Sequence, residues 1–356
     1  CGISSIAGNV DLYSGLLYGN FLNDSVFYMN KNDYEDLFRK CDMENIRFYY
    51  PYPDHLFTET IFSDRCLPKV GELTNNSRIY GNYRLQMFNE TSAYNALIKG
   101  NKFCDFTNSF LIVIGKNSDT LCKYVKISNE RNADYQIYTT ISNDNCVEKH
   151  SYSDASVTHL NTIVNYYRNY PKDALARWKV KYCESYAKAK AVAFEFINGI
   201  SLEEMLYRDS LQSEDDIISY IDVVNKILSC NPQTTFTMSS DFKTIFGYYE
   251  ELEGLPSSLN SNIDLIFDNI IMDANGWYSI IDYEWTYSFA IPNQFILFRT
   301  IFHSRFINQL AEEEVKKLYL HYGIDDNLYS VFFQMEVHFQ NFVSSKGRKL
   351  MDKTEE

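Results

Sequence analysis

Apolar residues recur at helical spacing in several stretches of the chain and predict its helices. The longest stretch covers residues 153–176, where Ser153 or Asp154 is the expected N-cap. Residues 215–228 show the same periodicity. After Trp285 come three amphipathic stretches whose aromatic stripes predict a helical core.

Runs of β-branched and aromatic residues predict strands between these helices. They lie at residues 46–50, 109–115, 135–141, 146–150, 179–186 and 191–196. A helix capped by Asn32 or Asp33 is expected before the first of them. Ser201, followed by Glu204, predicts another helix start after the last. Helices and strands mixed in this way predict an α+β fold.

The composition indicates a folded protein with a large core. The chain has 356 residues, of which 45% are hydrophobic and 16% aromatic, enough for one large or two ordinary domains. Its formal net charge of -14 argues against a general nucleic-acid surface and against an anionic membrane as partner. No apolar run reaches the length of a membrane span, and no signal-peptide pattern opens the chain.

The cysteines carry no metal or disulfide signature. All eight are scattered, without a Cys-x-x-Cys pair, so zinc spacing is absent and a disulfide framework is not expected. We therefore predict reduced thiols in a cytoplasmic protein. The first residue is Cys1 rather than methionine, which suggests a fragment of a longer protein.

The stretch from Asn262 to Trp285 carries the candidate chemistry. Asp264 opens a short loop, the amide Asn269 follows, and a strand-like run then leads to Asp282. Phosphoryl transfer from a nucleotide needs one carboxylate beside the acceptor hydroxyl. It also needs an amide oxygen and a second carboxylate that bind magnesium. A plain polar hairpin is the alternative, because Asp and Asn are common turn residues.

The spacing Asp-x-x-x-x-Asn from Asp264 to Asn269 resembles the catalytic loop of protein kinases and of the aminoglycoside and choline phosphotransferases. The resemblance implies ATP and Mg²⁺ as cofactors, with Asp264 as the catalytic base and Asn269 and Asp282 as metal ligands. Two positions depart from that family. Asn262 stands where the family has a histidine, and the Asp-Phe-Gly position reads Asp-Tyr-Glu here.

A second resemblance lies upstream. The string FEFINGISLEEML resembles the hinge of the aminoglycoside-phosphotransferase and atypical-kinase superfamily. This implies that the backbone from Glu195 through Phe196 to Ile197 binds adenine. In the same fold a lysine on the third strand contacts the α- and β-phosphates. That role is assigned to Lys149, with Lys126 as the alternative.

Two further kinase features are altered around this lysine. The loop SNERN holds no glycine where a phosphate-covering loop would lie, so Arg131 is the expected phosphate contact there. A kinase would also supply a glutamate on the following helix, and none occurs between Lys149 and Glu184. His159 in that helix is expected to be structural.

Residues 1–115 resemble the C-terminal half of the S-adenosylmethionine-dependent methyltransferase domains that precede kinase-like domains in bacterial surface-polysaccharide proteins. The pieces RFYYPYPD and FTNSFLIVIG carry this resemblance. The glycine-rich half that would bind the methyl donor is absent, so no methyltransferase activity is expected of this chain alone. Together the resemblances predict a bilobal protein-kinase-like fold. It would comprise a partial α/β methyltransferase-like segment at 1–115, an N-lobe at 116–200 and a helical C-lobe at 201–356.

Three functions are compatible with these features. The first is an ATP- and Mg-dependent phosphotransferase acting on a saccharide or similar small hydroxyl acceptor in bacterial surface-polysaccharide metabolism. The second is a catalytically weak, kinase-like nucleotide-binding or docking module of a methyltransferase or glycosyltransferase protein, favoured by the missing glycines, histidine and helix glutamate. The third is the back half of a protein that is chiefly a methyltransferase. The retained Asp264, Asn269 and Asp282 favour the first.

Overall fold

A computed structural model describes residues 2–4, 29–55, 58–73, 88–115, 122–208 and 213–344. The chain divides into two compact units. The first unit holds the described residues up to Glu130 together with Ile137–Glu148. The second holds Arg131–Gln136 and the described residues from Lys149 on. The domain boundaries expected after residues 115 and 200 stay predictions.

The first unit is built on an antiparallel sheet. Its strands are β1 (Gly2–Ser4), β2 (Ile46–Tyr52), β3 (Thr60–Ser63), β4 (Ser109–Ile114), β5 (Cys122–Ile127) and β6 (Ile137–Ser142). Their order is β1-β4-β2-β3-β5-β6, and each neighbouring pair is antiparallel. The helices described in this unit are α1 (Lys31–Lys40), α2 (Glu90–Lys99) and α3 (Phe103–Phe106).

The core of the first unit is aromatic. Successive strand residues point to opposite faces, so Phe48, Tyr50 and Tyr52 of β2 share one face and are buried there. Tyr50 packs edge-on against Phe103 and Phe110, with ring centroids 5.7 and 6.1 Å apart. Such edge-to-face pairs are a favoured aromatic geometry, so Tyr50 packs α3 against the sheet and adds a side-chain contact to the pairing of β2 with β4.

The second unit contains most of the helices. After β7 (Val147–Ser151), which runs into it from the first unit, its elements up to the candidate site are α4 (Val157–Asn169), α5 (Lys172–Ala176), β8 (Val180–Tyr182), β9 (Ser185–Ala187), β10 (Ala191–Phe194), β11 (Ile200–Ser201), α6 (Leu202–Arg208), α7 (Glu214–Ser229), β12 (Gln233–Thr235) and α8 (Ser240–Phe246). They are followed by β13 (Pro256–Ser258), β14 (Ser261–Asn262), β15 (Ile270–Met272), β16 (Tyr278–Ile280), β17 (Thr286–Tyr287), β18 (Ile291–Pro292), α9 (Asn293–Phe302), α10 (Glu312–His321) and α11 (Asp326–Val343).

A small sheet in the second unit positions the candidate site. Its order is β11-β15-β16-β8, with β15 and β16 forming an antiparallel hairpin and β16 lying parallel to β8. Gly199 stands at the entry to β11, where an added Cβ would lie 2.4 Å from the carbonyl oxygen of Met272. Only glycine allows the two backbones to approach this closely.

The helix expected at 153–176 is wrong as a single element. A short 3-10 turn at Asp154–Ser156 precedes α4, and α4 ends before α5 begins. Pro171 lies between the two helices, where its ring and missing N–H prevent continuation. Ser153 makes no side-chain cap, and Asp154 instead forms an ion pair with Lys190.

The caps of two other helices test the sequence signals. Ser201 Oγ accepts the N–H of Glu204 at 3.1 Å, which confirms the predicted helix start. The cap of α1 is Asn30 and not Asn32 or Asp33, because its side chain and that of Asp33 exchange hydrogen bonds in a capping box.

The α+β fold class is confirmed. In the described parts of the chain, no helix combines the length and apolar character needed to cross a bilayer. Seven cysteines are described, and none of them takes part in a disulfide.

Candidate active site

The hairpin of β15 and β16 brings Asn269 and Asp282 to the same end. Its register pairs Ile270 with Ile280, so the residue before β15 lies opposite the residue after β16. The N–H of Ile281 donates to the carbonyl of Asn269 at 2.8 Å and extends the ladder by one step. Of the two residues predicted as metal ligands, Asn269 therefore accepts this hydrogen bond and Asp282 directly follows its donor.

The loop before the hairpin is held by its own side chains. Asn262 Oδ1 accepts the N–H of Asp264 at 2.9 Å, a local bond of the kind that asparagine makes in turns. Asn269 Nδ2 donates to the carbonyl of Asp264 at 3.0 Å. Because the amide nitrogen is used in this bond, the carbonyl oxygen of Asn269 is the atom left to face a cation.

The surroundings of the Asp264 side chain raise its affinity for a proton. Its Oδ1 accepts from Arg299 Nη2 at 3.0 Å. Burial raises the pKa of Asp264 to about 7, against the opposing effect of the Arg299 guanidinium. A carboxylate whose pKa lies near neutrality can accept a proton from an acceptor hydroxyl at physiological pH.

Arg299 joins the loop to the helical part of the second unit. This arginine of α9 is buried, donates Nε to the carbonyl of Ile263 at 3.0 Å, and forms an ion pair with Glu336 of α11. Glu336 also accepts from Gln340 at 2.8 Å and lies 3.2 Å from His303. Although burial alone would raise the pKa of Glu336, Arg299 and His303 lower it to about 2.

Removing the charge of Glu336 should destabilise the second unit. We expect Glu336→Gln to lower the free energy of unfolding by about 3 kcal/mol at pH 7, because it leaves Arg299 short of a buried counter-charge. The folded pKa lies below the unfolded value. The contribution is therefore present above pH 4.5 and lost as the pH falls towards 2.

Urea unfolding at pH 7 and at pH 3 measures this difference. Exposed Glu313→Gln is the control and should change the free energy of unfolding by less than about 0.5 kcal/mol. Equal stability of Glu336→Gln and the wild-type chain at pH 7 would contradict the assignment.

Lys149 lies directly against the second predicted metal ligand. Its side chain is buried, and its Nζ contacts Asp282 Oδ1 and donates to Glu284 Oε2 at 3.0 Å. Burial on its own would lower the pKa of Lys149, but the two carboxylates outweigh it and the pKa is raised. The amine therefore stays positively charged at neutral pH.

Asp282 has an unusual backbone conformation. Its φ is 53°, in the left-handed region that residues other than glycine rarely adopt. Tyr283 follows in the core and donates its hydroxyl to the carbonyl of Cys183 at 2.6 Å. Strained backbone held in place by a buried neighbour is common at functional sites.

The expected hinge packs next to this segment. Phe194 at the end of β10 lies 6.1 Å from the ring of Tyr283, and Cys183 Sγ donates to the carbonyl of Glu195 at 3.2 Å. Phe196 is 40% exposed. Within the described residues, the N–H of Ile197 donates to no backbone carbonyl.

The remaining predicted residues are placed differently. Lys126 belongs to β5 of the first unit, whereas Lys149, Asp264, Asn269 and Asp282 all belong to the second. Arg131 lies near Lys149 because both bind the same carboxylate: Arg131 Nη2 donates to Glu284 at 2.7 Å. Its assignment as a phosphate contact stays a prediction.

The sequence did not assign roles to Glu284, His159 and Arg299 in the site. Glu284 is the third residue of the triplet that departs from Asp-Phe-Gly, and that departure was the available signal. His159 is buried on α4, with its ring 4.6 Å from that of Trp285. Nothing in the sequence indicated that this ring lies beside a carboxylate.

The oxygen donors of Asn269 and Asp282 fit magnesium better than a softer metal. Mg²⁺ keeps several waters and uses one or two protein ligands together with substrate phosphates. Across the described ranges, no three side chains of His, Cys, Asp or Glu gather into a metal site. One carboxylate and one amide match the two protein ligands that a Mg²⁺ ion bound to a nucleotide would use.

No protein-family model and no curated protein matches the sequence. Similar solved structures include the aminoglycoside phosphotransferase APH(3'')-Id from Streptomyces rimosus. It is 12% identical with a TM-score of 0.39, over 70% of this chain and 98% of that chain. The choline kinase LicA from Streptococcus pneumoniae is 14% identical with a TM-score of 0.33, over 58% of this chain and 79% of that chain. TM-scores this low do not establish a shared fold, so function is inferred from the residues of the site.

Proposed function

We propose that the chain is an ATP- and Mg-dependent phosphotransferase acting on a small hydroxyl acceptor. The observation that carries this proposal is the contact of Lys149 with Asp282, at the hairpin end that also bears Asn269. A lysine, a carboxylate and an amide at one place form the set that binds a metal-chelated triphosphate. A polar hairpin without this function would not need a buried lysine at its end.

In the proposed reaction each residue has one task. Asp264 accepts the proton of the acceptor hydroxyl while the oxygen of that hydroxyl bonds to the γ-phosphorus. The bond from that phosphorus to the bridging oxygen of the β-phosphate breaks, and ADP leaves. Lys149 holds the α- and β-phosphates. Asn269 and Asp282 would bind Mg²⁺, which supplies charge neutralisation at the phosphates.

Arg299 keeps Asp264 oriented during this transfer. Its contact leaves one carboxylate oxygen engaged, so the other is available for the hydroxyl proton. The backbone from Glu195 to Ile197 is proposed as the adenine site, because it follows a strand whose end packs against Tyr283.

The acceptor class rests on sequence resemblance. The similarity of residues 1–115 to proteins of bacterial surface-polysaccharide metabolism supports a saccharide acceptor and a role in that metabolism. A cytoplasmic location is proposed from the scattered cysteines. The methyltransferase-like character of this segment stays a prediction, as does an association with methyltransferase or glycosyltransferase modules.

A nucleotide-binding or docking module is the second candidate. One observation favours it: α4 carries no glutamate that could hold Lys149 in the way a kinase helix does. The two candidates differ in turnover and agree on nucleotide binding.

Calorimetric titration with ATP, with and without Mg²⁺, tests the shared part. Saturable binding that requires Mg²⁺ is expected. ADP release measured over a panel of monosaccharides, aminoglycosides and choline then separates the candidates, because only an enzyme gives acceptor-dependent release. Absence of binding to ATP and to GTP in the presence of Mg²⁺ would remove both.

A further inference from the structure

The carboxylate that holds Lys149 comes from an unexpected element. Helix α4 follows the lysine strand but contributes no acidic side chain to it. Glu284, which lies just beyond Asp282, accepts from Lys149 Nζ at 3.0 Å instead. The pairing joins residues 135 positions apart in the sequence.

Glu284 is fixed from several sides. Its side chain is 3% exposed and receives Arg131 Nη2 at 2.7 Å in addition to Lys149. His159 Nε2 of α4 lies 3.8 Å from the same Oε2 that binds the lysine. A buried carboxylate persists only with such partners, and together these basic groups hold the pKa of Glu284 well below its usual range, although burial opposes them.

Trp285 packs against two of the groups that surround Glu284, Arg131 and His159. The guanidinium of Arg131 lies 5.3 Å from the centre of its ring, and the imidazole of His159 lies 4.6 Å away. Cation–π contact of this kind restricts an arginine without using its hydrogen-bond donors. The orientation of Glu284 is therefore set before any ligand arrives.

Asp282 differs from Glu284 in exposure. Its side chain is 34% exposed, against 3% for Glu284, although both contact the same amine. A solvent-facing carboxylate can exchange one cation for another. A buried carboxylate that accepts several hydrogen bonds would lose those bonds in such an exchange.

We propose that Glu284 is the positioning residue of Lys149 and takes the place of the helix glutamate that kinases use. This inference rests on the proposed function. When a metal-bound nucleotide engages Asp282, the amine leaves that carboxylate, stays on Glu284 and turns to the phosphates. His159 Nε2 lies 3.8 Å from the Glu284 oxygen that accepts from the lysine, so we expect a glutamate at this position of α4 to reach the amine.

Moving the carboxylate tests the proposal. Glu284→Gln should raise the dissociation constant for Mg²⁺ with a nonhydrolysable ATP analogue about tenfold, the loss typical when an outer partner of a binding group is removed. The double variant His159→Glu/Glu284→Gln returns a carboxylate from the helix side and should recover affinity to within about threefold of wild type. A double variant that binds no tighter than Glu284→Gln would overturn the proposal.

A second comparison does not depend on how well Glu284→Gln folds alone. In a Lys149→Met background, Glu284→Gln should change the dissociation constant by less than about twofold, because the residue acts through the lysine. A further tenfold loss there would overturn the proposal. Buried Glu203→Gln, at a site of α6 that binds the N–H of Phe306, is the matched control and should bind as wild type does.

Calorimetry separates this outcome from failure of the proposed function. A wild-type chain that binds no nucleotide refutes the function itself. A wild-type chain and a Glu284→Gln variant that bind equally refute only the role of Glu284.

Discussion

Asp282→Asn is expected to abolish magnesium-dependent nucleotide binding. The change removes the only carboxylate of the proposed metal pair, so the dissociation constant for Mg-ATP should rise at least about 100-fold. Asparagine tolerates the left-handed backbone found at Asp282, where φ is 53°, so the segment should keep its conformation. Calorimetric titration with ATP at fixed Mg²⁺ measures the effect.

The other end of the same hairpin offers the control. Asp273 accepts the N–H groups of Asn275 at 2.8 Å and Trp277 at 3.0 Å, and asparagine can make the same bonds. Asp273→Asn removes an equal charge from the hairpin and should bind Mg-ATP as the wild-type chain does. If Asp282→Asn and Asp273→Asn bind alike, Asp282 is not a metal ligand.

Asp264→Asn should remove turnover while leaving nucleotide binding intact. A positioned general base contributes about 10²–10⁴-fold to a rate, so kcat should fall by that factor and the Mg-ATP dissociation constant should change by less than about threefold. Asn262 and Arg299 hold the loop, and the backbone carbonyl that binds Asn269 is retained. Acceptor-dependent ADP release and calorimetry together measure the split.

The folding cost of Asp264→Asn is expected to be small. Burial raises the pKa of Asp264 to about 7, so the folded chain favours the neutral form relative to the unfolded chain. Stability attached to this group falls as the pH rises from 3.8 towards 7, and a neutral amide avoids that loss. Unchanged kcat in a folded Asp264→Asn variant would show that another group accepts the proton.

The local parts of the site were accessible from the sequence. A turn-forming Asp, an Asn and a second Asp at the end of a strand-like run predict a polar hairpin, and Asn269 and Asp282 lie at the same end of the hairpin that forms. The start of α6 followed from Ser201 and Glu204 in the same way. Such signals work because the interacting groups are close in the chain.

The long-range contacts were not accessible in this way. Periodicity places His159 on the buried face of α4 but does not say which carboxylate lies beside it. Arg131 donates to Glu284, a partner that its position in the loop SNERN does not indicate. These pairings depend on how distant elements pack, which spacing does not encode. The break at Pro171 was visible in the sequence but was overridden by the apolar pattern on either side.

A crystal structure with Mg²⁺ and a nonhydrolysable ATP analogue is the most direct test of the central claim. The account predicts an ion about 2.1 Å from oxygens of Asn269 and Asp282. It also predicts that the Lys149 amine contacts the phosphates while it remains bound to Glu284. Adenine should contact the backbone of Glu195–Ile197. A nucleotide bound elsewhere, or Lys149 still on Asp282 with the ion away from both predicted ligands, would contradict it.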